Sequence, residues 1–308
     1  MARALMVAIA LFVTLAGCGT TRDMLTKASR DCRDRNADKA EALAACNLML
    51  ERPQAEADRA RYLTARGFAQ TKTEHYAEGI ADLTAALALT PDALPARLER
   101  AKAEEKTGDL AAARADYDTA IRLDPTAASP YVARCYLQTR QGRYEAALAD
   151  CDRAIELGPA TAGAYKTRAR AAHLLLRYDA AVEDLTRAIA LAPEDAAAYQ
   201  ARGDAQAKLE RFDEALLDYG VAIRLAPNSA VAYAARGSVL VRRKEYDLAI
   251  VDLDMAIRLK PDFAGAYYTR GRAHQLLKQT AQARADYRQA LVLDPEFTSA
   301  RDALGRLK

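Results

Sequence analysis

Apolar positions along most of the chain recur at the three- and four-residue spacing of amphipathic helices, and these helices come in pairs. The segment 229–262 is typical, with two apolar-periodic stretches separated by a short polar turn. Proline lacks the N–H donor that a helix interior needs, so it marks where each second helix ends. Prolines recur every 34 residues, at Pro91, Pro125, Pro159, Pro193, Pro227, Pro261 and Pro295. The pattern predicts an all-α chain built of repeated helix pairs.

Seven repeats follow from this period, and the same residue types recur at fixed positions in each. Position seven is always Arg, position twenty-three is always Asp, and positions eight, twenty and twenty-seven are always small. Small residues let antiparallel helices approach closely, whereas larger ones would force them apart at a cost of about 1–3 kcal/mol. An aromatic ring at position four or seventeen fills the space between most repeats. The predicted repeats are 60–93, 94–127, 128–161, 162–195, 196–229, 230–263 and 264–297.

This set of positions resembles the tetratricopeptide repeat, which has 34 residues, an aromatic residue at position four, small residues at eight, twenty and twenty-seven, and proline at thirty-two. The resemblance covers residues 60–297; tyrosine stands where the family has tryptophan, and Leu63 and Arg97 replace an expected aromatic residue. It implies an α-solenoid of about seven helix pairs that forms a right-handed superhelix. We expect an irregular N-terminal helix pair at 26–59 and a capping helix at 298–308 that covers the last apolar face.

The arginine at position seven and the aspartate at position twenty-three occur together in every repeat. Pairing inside each repeat, from Arg66–Asp82 through Arg270–Asp286, leaves no residue over. Pairing between neighbouring repeats would leave Arg66 and Asp286 without partners. We therefore expect ion pairs between the two helices of each repeat, and the alternative is two independently solvated charges.

The N-terminus has the composition of an export signal. Arg3 precedes an apolar run at 4–14 that is too short to span a bilayer comfortably. The sequence Leu-Ala-Gly-Cys that ends at Cys18 resembles the lipobox of bacterial lipoproteins, whose cysteine is acylated and becomes the first mature residue. The resemblance implies a lipoprotein signal peptide at 1–17, lipidation of Cys18 and a tether at 18–25. Metabolic labelling with palmitate would detect the lipid. A plain secretory signal with a chance cysteine is the alternative.

The residue after the lipidated cysteine bears on localisation. Gly19, rather than aspartate, follows Cys18. By resemblance to bacterial lipoprotein sorting, this favours anchoring in the cell envelope at the outer membrane, facing the periplasm. The membrane would thus be contacted through the N-terminal lipid.

Four further cysteines would meet oxidising conditions in an exported chain, where paired cysteines form disulfides. Cys32 and Cys46 fall on facing helices of the N-terminal pair, and a disulfide there would add about 3 kcal/mol of stability. Two unpaired thiols are the alternative. Cys135 and Cys151 occupy apolar positions on the two helices of one repeat, and they either pair or are buried thiols. No His or Cys cluster has the spacing of a zinc site, and no metal is expected.

The resemblance also implies a binding groove, lined in this family by the first helix of each repeat. Groove residues come from positions two, five, nine, twelve and thirteen, where cations outnumber acids such as Glu105 and Asp204. Such a surface suits an acidic peptide or a free C-terminal carboxylate, and an ordinary solvated face is the alternative. The candidate groove residues are Phe68, Lys72, Lys102, Lys106, Tyr136, Arg140, Lys166, Arg170, His173, Lys208, Arg242, Tyr268 and Arg272.

Composition excludes several other functions. The formal net charge of +3 is too small to indicate nucleic-acid binding. The three histidines lie in different repeats, and no phosphate-binding loop, dinucleotide fingerprint or nucleophile elbow is present. We expect no enzyme activity, no cofactor and no small-molecule substrate.

These observations favour a membrane-anchored scaffold or adaptor that binds peptide segments of cell-envelope proteins in its groove. The alternative is a structural subunit of a pilus, secretion or outer-membrane assembly that uses its convex face and edges.

Overall fold

The structure is a computed structural model that describes residues 21–158 and 161–307. In this part of the chain there are 17 helices and no strands, so the predicted all-α repeat fold is confirmed. None of the described helices is long and apolar enough to cross a membrane. The predicted signal peptide and Cys18 lie outside the described residues.

The helices alternate as first and second members of successive pairs. In chain order they are α1 Thr21–Arg33, α2 Lys39–Leu50, α3 Glu56–Lys72, α4 Tyr76–Leu89, α5 Leu94–Thr107, α6 Leu110–Leu123, α7 Ala128–Arg140, α8 Tyr144–Leu157, α9 Ala162–Leu174, α10 Tyr178–Leu191, α11 Ala196–Lys208, α12 Phe212–Leu225, α13 Ala230–Arg242, α14 Tyr246–Leu259, α15 Ala264–Leu276, α16 Thr280–Leu293 and α17 Thr298–Arg306. They form two compact units, one ending at Leu137 and the other starting at Gln138.

Close packing of the two helices in a repeat depends on the small residue at position eight. A Cβ atom at Gly203 would lie 2.9 Å from the ring of Tyr219, and one at Gly271 would lie 2.8 Å from the ring of Tyr287. Those rings occupy position twenty-four of the repeat, on its second helix, and are almost completely buried. Glycine at position eight therefore makes room for a tyrosine that the facing helix inserts.

Six of the predicted ion pairs within repeats are present. In each, the guanidinium Nε and Nη2 atoms donate to the two carboxylate oxygens, as when Arg168 binds Asp184 at 2.7 and 2.6 Å. The aspartates are buried, so these are two-point pairs removed from solvent. The pairs of this kind are Arg66–Asp82, Arg100–Asp116, Arg168–Asp184, Arg202–Asp218, Arg236–Asp252 and Arg270–Asp286.

The same arginines also join consecutive repeats, which the sequence pattern did not predict. In five of the arginines the remaining nitrogen, Nη1, donates to the residue 16 positions earlier, at position twenty-five of the preceding repeat. That acceptor is Asp118 for Arg134 and Asp152 for Arg168, each at 2.6 Å. The other acceptors at this spacing are Thr84 for Arg100, Thr186 for Arg202 and Asp254 for Arg270. Arg66 donates instead to Asn47 of the N-terminal pair, 19 positions earlier.

The turn between the two helices of every repeat contains a residue with positive φ at position fifteen. Glycine occupies it in the second and third repeats, at Gly108 and Gly142. The other repeats place a side chain in this left-handed conformation, which costs about 1–2 kcal/mol for a residue with a Cβ atom. These residues are Glu74, Leu176, Glu210, Lys244 and Lys278, with φ between 61 and 67°.

The N-terminal pair is closed covalently, because Cys32 and Cys46 form a disulfide. Asp38 caps α2 by accepting hydrogen bonds from the backbone N–H groups of Ala40 and Glu41. Helix α1 begins at Thr21, inside the stretch 18–25 that was predicted as a tether. Its apolar side packs toward α2 around Cys32, and this amphipathic pattern extends the helix further towards the N-terminus than expected.

Candidate functional site

First helices of consecutive repeats contact one another in both units. In the first unit α3 contacts both α1 and α5, and in the second unit α13 contacts both α11 and α15. The candidate groove residues lie on these first helices and on the corresponding α7 and α9. The exposed surface of the first helices is therefore the candidate binding site.

The first unit has a cavity of about 400 Å³ between α1, α3 and α5, and Phe68 contributes to its wall. Three cations surround the Phe68 ring. The Cζ atom of Arg35 lies 4.9 Å from the ring centroid, and the Nζ atoms of Lys39 and Lys72 each lie 5.5 Å from it. Cations at such distances are attracted to an aromatic face. We call Arg35, Lys39, Phe68 and Lys72 the Phe68 cluster.

One buried acid partly balances this positive charge. Glu99 is only 4% exposed, and its Oε1 atom lies 3.4 Å from Arg35 Nη1 and 3.3 Å from Lys102 Nζ. Lys106 is exposed one turn further along α5. The cavity itself is positive, because Arg33, Arg35, Lys39 and Arg61 line it together with a single acid, Asp34.

The two acids that the sequence places on this surface are both bonded to buried tyrosines. The Tyr117 hydroxyl donates to Glu105 at 2.6 Å, and the Tyr219 hydroxyl donates to Asp204 at 2.7 Å. Burial raises the pKa of Asp204, although the hydrogen bond from Tyr219 opposes the shift. The acids therefore anchor the first helices to the second, which leaves cations as the more exposed charges.

In the second unit the candidate residues near α9 differ in their contacts. Lys166 donates to Asp195 at 2.5 Å, whereas Arg170 and Lys208 are exposed. His173 packs edge-on against Tyr178, with ring centroids 5.0 Å apart. Burial is the main cause that lowers the pKa of His173, and Lys208 lowers it further against the opposing effect of Asp204.

Arg242 has a structural role that the sequence did not predict. Its guanidinium donates to the backbone oxygen of Ala207 at 2.9 Å and to Glu210 at 2.7 Å. It also lies 4.6 Å from the centroid of the Phe212 ring. Arg242 thus fastens α13 to the turn of the preceding repeat.

The remaining candidates lie on α7 and α15. Tyr136 is 42% exposed on α7, and Arg140 is exposed at the end of that helix. Tyr268 packs against the ring of Phe297 with a centroid distance of 5.0 Å, and Arg272 is exposed beside it on α15. Aromatic rings with neighbouring cations therefore recur on the first helices of both units.

Sequence reasoning missed two members of the Phe68 cluster. Arg35 and Lys39 belong to the N-terminal pair, which lacks the repeat pattern that identified the other residues. Their only sequence signal was the presence of Arg33, Arg35 and Lys39, interspersed with Asp34 and Asp38, around the break at Asn36. Among the described residues, no group of three or more His, Cys, Asp or Glu side chains could hold a metal ion. Cations held beside an aromatic ring can bind the carboxylates of a ligand.

Comparisons with known proteins identify the repeats. Two family models, both of the tetratricopeptide repeat, match the chain: one covers residues 264–297, and the other covers 64–128 and 166–230. Together they match more than half of the sequence. No curated protein matches it.

Solved structures show the same fold. A tetratricopeptide repeat protein from Parabacteroides merdae has a TM-score of 0.60 and 20% identity, over 83% of this chain and 99% of that one. PilF of Pseudomonas aeruginosa has a TM-score of 0.60 and 17% identity, over 69% and 96% of the two chains. YrrB, a TPR protein with an unusual peptide-binding site, has a TM-score of 0.51 and 24% identity, over 61% and 96%. Identities this low establish similarity of fold alone.

Proposed function

Because the chain belongs to the tetratricopeptide repeat family, we propose that it is a membrane-anchored scaffold that binds acidic peptide segments of cell-envelope proteins on its first helices. Members of this family bind peptide or protein partners and are generally non-catalytic. The proposal takes its ligand class from the charge of the surface and its location from the N-terminal sequence.

The observation that carries the ligand class is the Phe68 cluster. Phe68 offers an apolar face for a side chain of the peptide, and the cavity beside it can accommodate that side chain. Arg35, Lys39 and Lys72 surround the ring and would attract carboxylates of the same peptide. Arg35 is held by Glu99, so its guanidinium is positioned before a ligand arrives.

Photo-crosslinking in intact cells tests this proposal. A photoreactive amino acid at Thr64, which lines the cavity, should capture a partner that mass spectrometry identifies as an acidic peptide segment. Replacing Lys72 by Glu should reduce capture roughly tenfold, the equivalent of about 1.4 kcal/mol. The matched control is Lys260→Glu, since Lys260 lies 5.4 Å from the Phe263 ring in a similar pair outside the cluster. Equal capture by both variants would refute a role for the cluster.

The anchor is proposed from Cys18 and the apolar run before it. Stable attachment needs two or more lipid chains, which acylation of an N-terminal cysteine supplies. Metabolic labelling with an alkyne-bearing palmitate should mark the chain, and membrane fractionation should find it at the outer membrane. Labelling that persists in a Cys18→Ser variant would contradict this assignment.

A second candidate function is a structural subunit that assembles through the second helices. It is favoured by large apolar side chains that these helices expose, among them Leu217 at 72% and Val251 at 65%. A photoreactive residue at either position would then capture an envelope protein in the same cells, while the probe at Thr64 would not.

A further inference from the structure

The second helices of the fifth and sixth repeats expose an apolar surface that the fold does not need. Leu217 and Val221 lie on one face of α12, while Leu248, Val251 and Met255 lie on one face of α14. Leu217, Leu248 and Val251 are 72%, 57% and 65% exposed. The two helices are linked at their N-terminal ends, because Arg243 in the turn before α14 donates to Asp213 of α12. We call these five residues the outer apolar patch.

The corresponding positions of other repeats show that the patch is specific to these two. Positions nineteen, twenty-two and twenty-six have only small, polar or charged residues in the third, fourth and seventh repeats. These residues are Ala146, Ala149, Arg153, Ala180, Glu183, Arg187, Gln282, Ala285 and Gln289. Packing within the repeat therefore does not require large apolar side chains here, and their exposure indicates an interaction surface.

Charges at the two ends of the patch indicate what occupies it. Acidic residues lie in the first turns of the two helices, including the exposed Glu214 on α12 and Asp247 on α14. Basic residues lie in the last turns, at the exposed Arg224 and Arg258. Glu214 and Asp247 thus lie at one edge of the surface, where Lys244 is also exposed, and Arg224 and Arg258 lie at the opposite edge. When such a surface meets a copy of itself in antiparallel orientation, these two acids face the two arginines of the other copy.

We propose that the outer apolar patch binds a second copy of this chain around a two-fold axis, with α12 and α14 antiparallel to their counterparts. Leucine, valine and methionine side chains form the centre of the interface, and four acid–base contacts form its rim. Each helix has 14 residues, or about 21 Å, so the contact is smaller than a standard interface of about 800 Å² per partner. The dimer is therefore weak and concentration-dependent. This proposal does not depend on peptide binding by the first helices.

Photo-crosslinking of the full-length chain in cells tests self-association. A photoreactive residue at Leu248 should give a product of about twice the 33.5 kDa of the chain, with cross-linked peptides from α12 or α14 of a second copy. The matched control is Gln282, at the same repeat position on α16. A product with a different protein, or a dimer yield no higher than at residue 282, would overturn the proposal.

Charge reversal tests the antiparallel orientation. Glu214→Arg with Asp247→Arg should lower the dimer yield roughly tenfold, because like charges then face each other. Adding Arg224→Glu and Arg258→Glu should restore it, since the rim becomes complementary again with opposite sign. Circular dichroism checks that each variant is folded, and all four sites are exposed. Failure of the fourfold variant to regain dimer would rule out this arrangement.

Discussion

Arg236 donates two hydrogen bonds to Asp252, each 2.7 Å long, but unlike its counterparts it does not bind a side chain of the preceding repeat. The position that supplies this acceptor elsewhere is occupied by Gly220. No neighbouring atom lies within 4 Å of the point where a Cβ atom of residue 220 would stand. The Arg236 side chain is 28% exposed, compared with 19–25% for the other six arginines.

Gly220→Asp should stabilise the chain by supplying the missing acceptor. Gly220→Ala is the matched control, because it should add about 1 kcal/mol through helix propensity alone. Aspartate is a poorer helix former than alanine by roughly 0.5 kcal/mol, yet we expect the Asp variant to be at least as stable in urea unfolding. If the free energy of unfolding of the Asp variant is lower than that of the Ala variant by the full propensity difference, Arg236 does not bind the new carboxylate.

The two carboxylates bound by Arg168 should differ widely in their importance. Asp184 is buried, with a side chain 6% exposed, whereas that of Asp152 is 54% exposed. Asp184→Asn should cost about 3 kcal/mol or more, because it leaves a buried charge incompletely paired. Asp152→Asn should cost less than about 1 kcal/mol. Denaturant unfolding of both variants measures this difference, and equal losses would contradict it.

Stability should fall between pH 5 and 8 because of Glu104. Burial of this side chain, with Asp116 beside it, raises the pKa of Glu104 from 4.5 to about 7, against the opposing effect of Arg100. The contribution of the proton is fully present below pH 4.5 and is lost as the pH rises through 7, by about 3 kcal/mol in total.

Glu104→Gln should remove most of this dependence on pH. The third repeat has glutamine at the same position, where Gln138 donates to Asp150 at 2.9 Å. The variant should therefore be more stable than the natural chain at pH 8. Urea unfolding at pH 5 and pH 8 gives the comparison, and parallel curves for the two proteins would exclude Glu104 as the titrating group.

Leu176→Gly is expected to increase stability, although it removes an apolar side chain. Leu176 is 70% exposed and has a φ of 61°. Glycine adopts this conformation without the steric penalty, and Gly142 does so at the same position of the preceding repeat. Because glycine also has more entropy to lose on folding, we expect a net gain of about 0.5–1 kcal/mol. The melting temperature should rise, whereas Leu174→Gly, inside α9, should lower it.

Loss of the disulfide between Cys32 and Cys46 should loosen the N-terminal pair. Its loop closes over a separation of 14 residues, for which a contribution of about 3 kcal/mol is typical. In the Cys32→Ser/Cys46→Ser variant, amide hydrogen exchange should accelerate in α1 and α2 and stay unchanged in α14 and α15. Unchanged protection of α1 and α2 would show that side-chain packing alone orders the pair.

The sequence predicted the fold well because the residue types that determine it recur at the same positions in all seven repeats. Position eight is small because a ring or leucine of the facing helix fills the space, as Tyr219 does beside Gly203. The pairing of Arg with Asp within repeats was also predictable, because every repeat has one of each at positions seven and twenty-three. The period could not show that Nη1 of Arg168 reaches back to Asp152, because position twenty-five varies among Asp, Thr, Gly and Arg.

The candidate site was predicted less completely, because a binding surface is built from positions that vary. Phe68 and Lys72 were found from their repeat positions, while Arg35 and Lys39 come from a segment outside the pattern. Arg242 occupies a groove position but binds Glu210 and the backbone of the preceding repeat. Charge and position alone do not distinguish a cation that faces a ligand from one that fastens two helices.

The arginines that join neighbouring repeats determine how cooperatively the array opens. A repeat that unfolds alone breaks its own ion pair and also the bond that its neighbour's arginine makes to it, so opening tends to spread. The junction before Arg236 lacks that bond, and Arg242 links the two repeats there instead, by binding Ala207 and Glu210 of the preceding repeat. The outer apolar patch lies across this same junction, with α12 on one side and α14 on the other. A second copy bound there would therefore add its own contacts to the bonds that already link these two repeats.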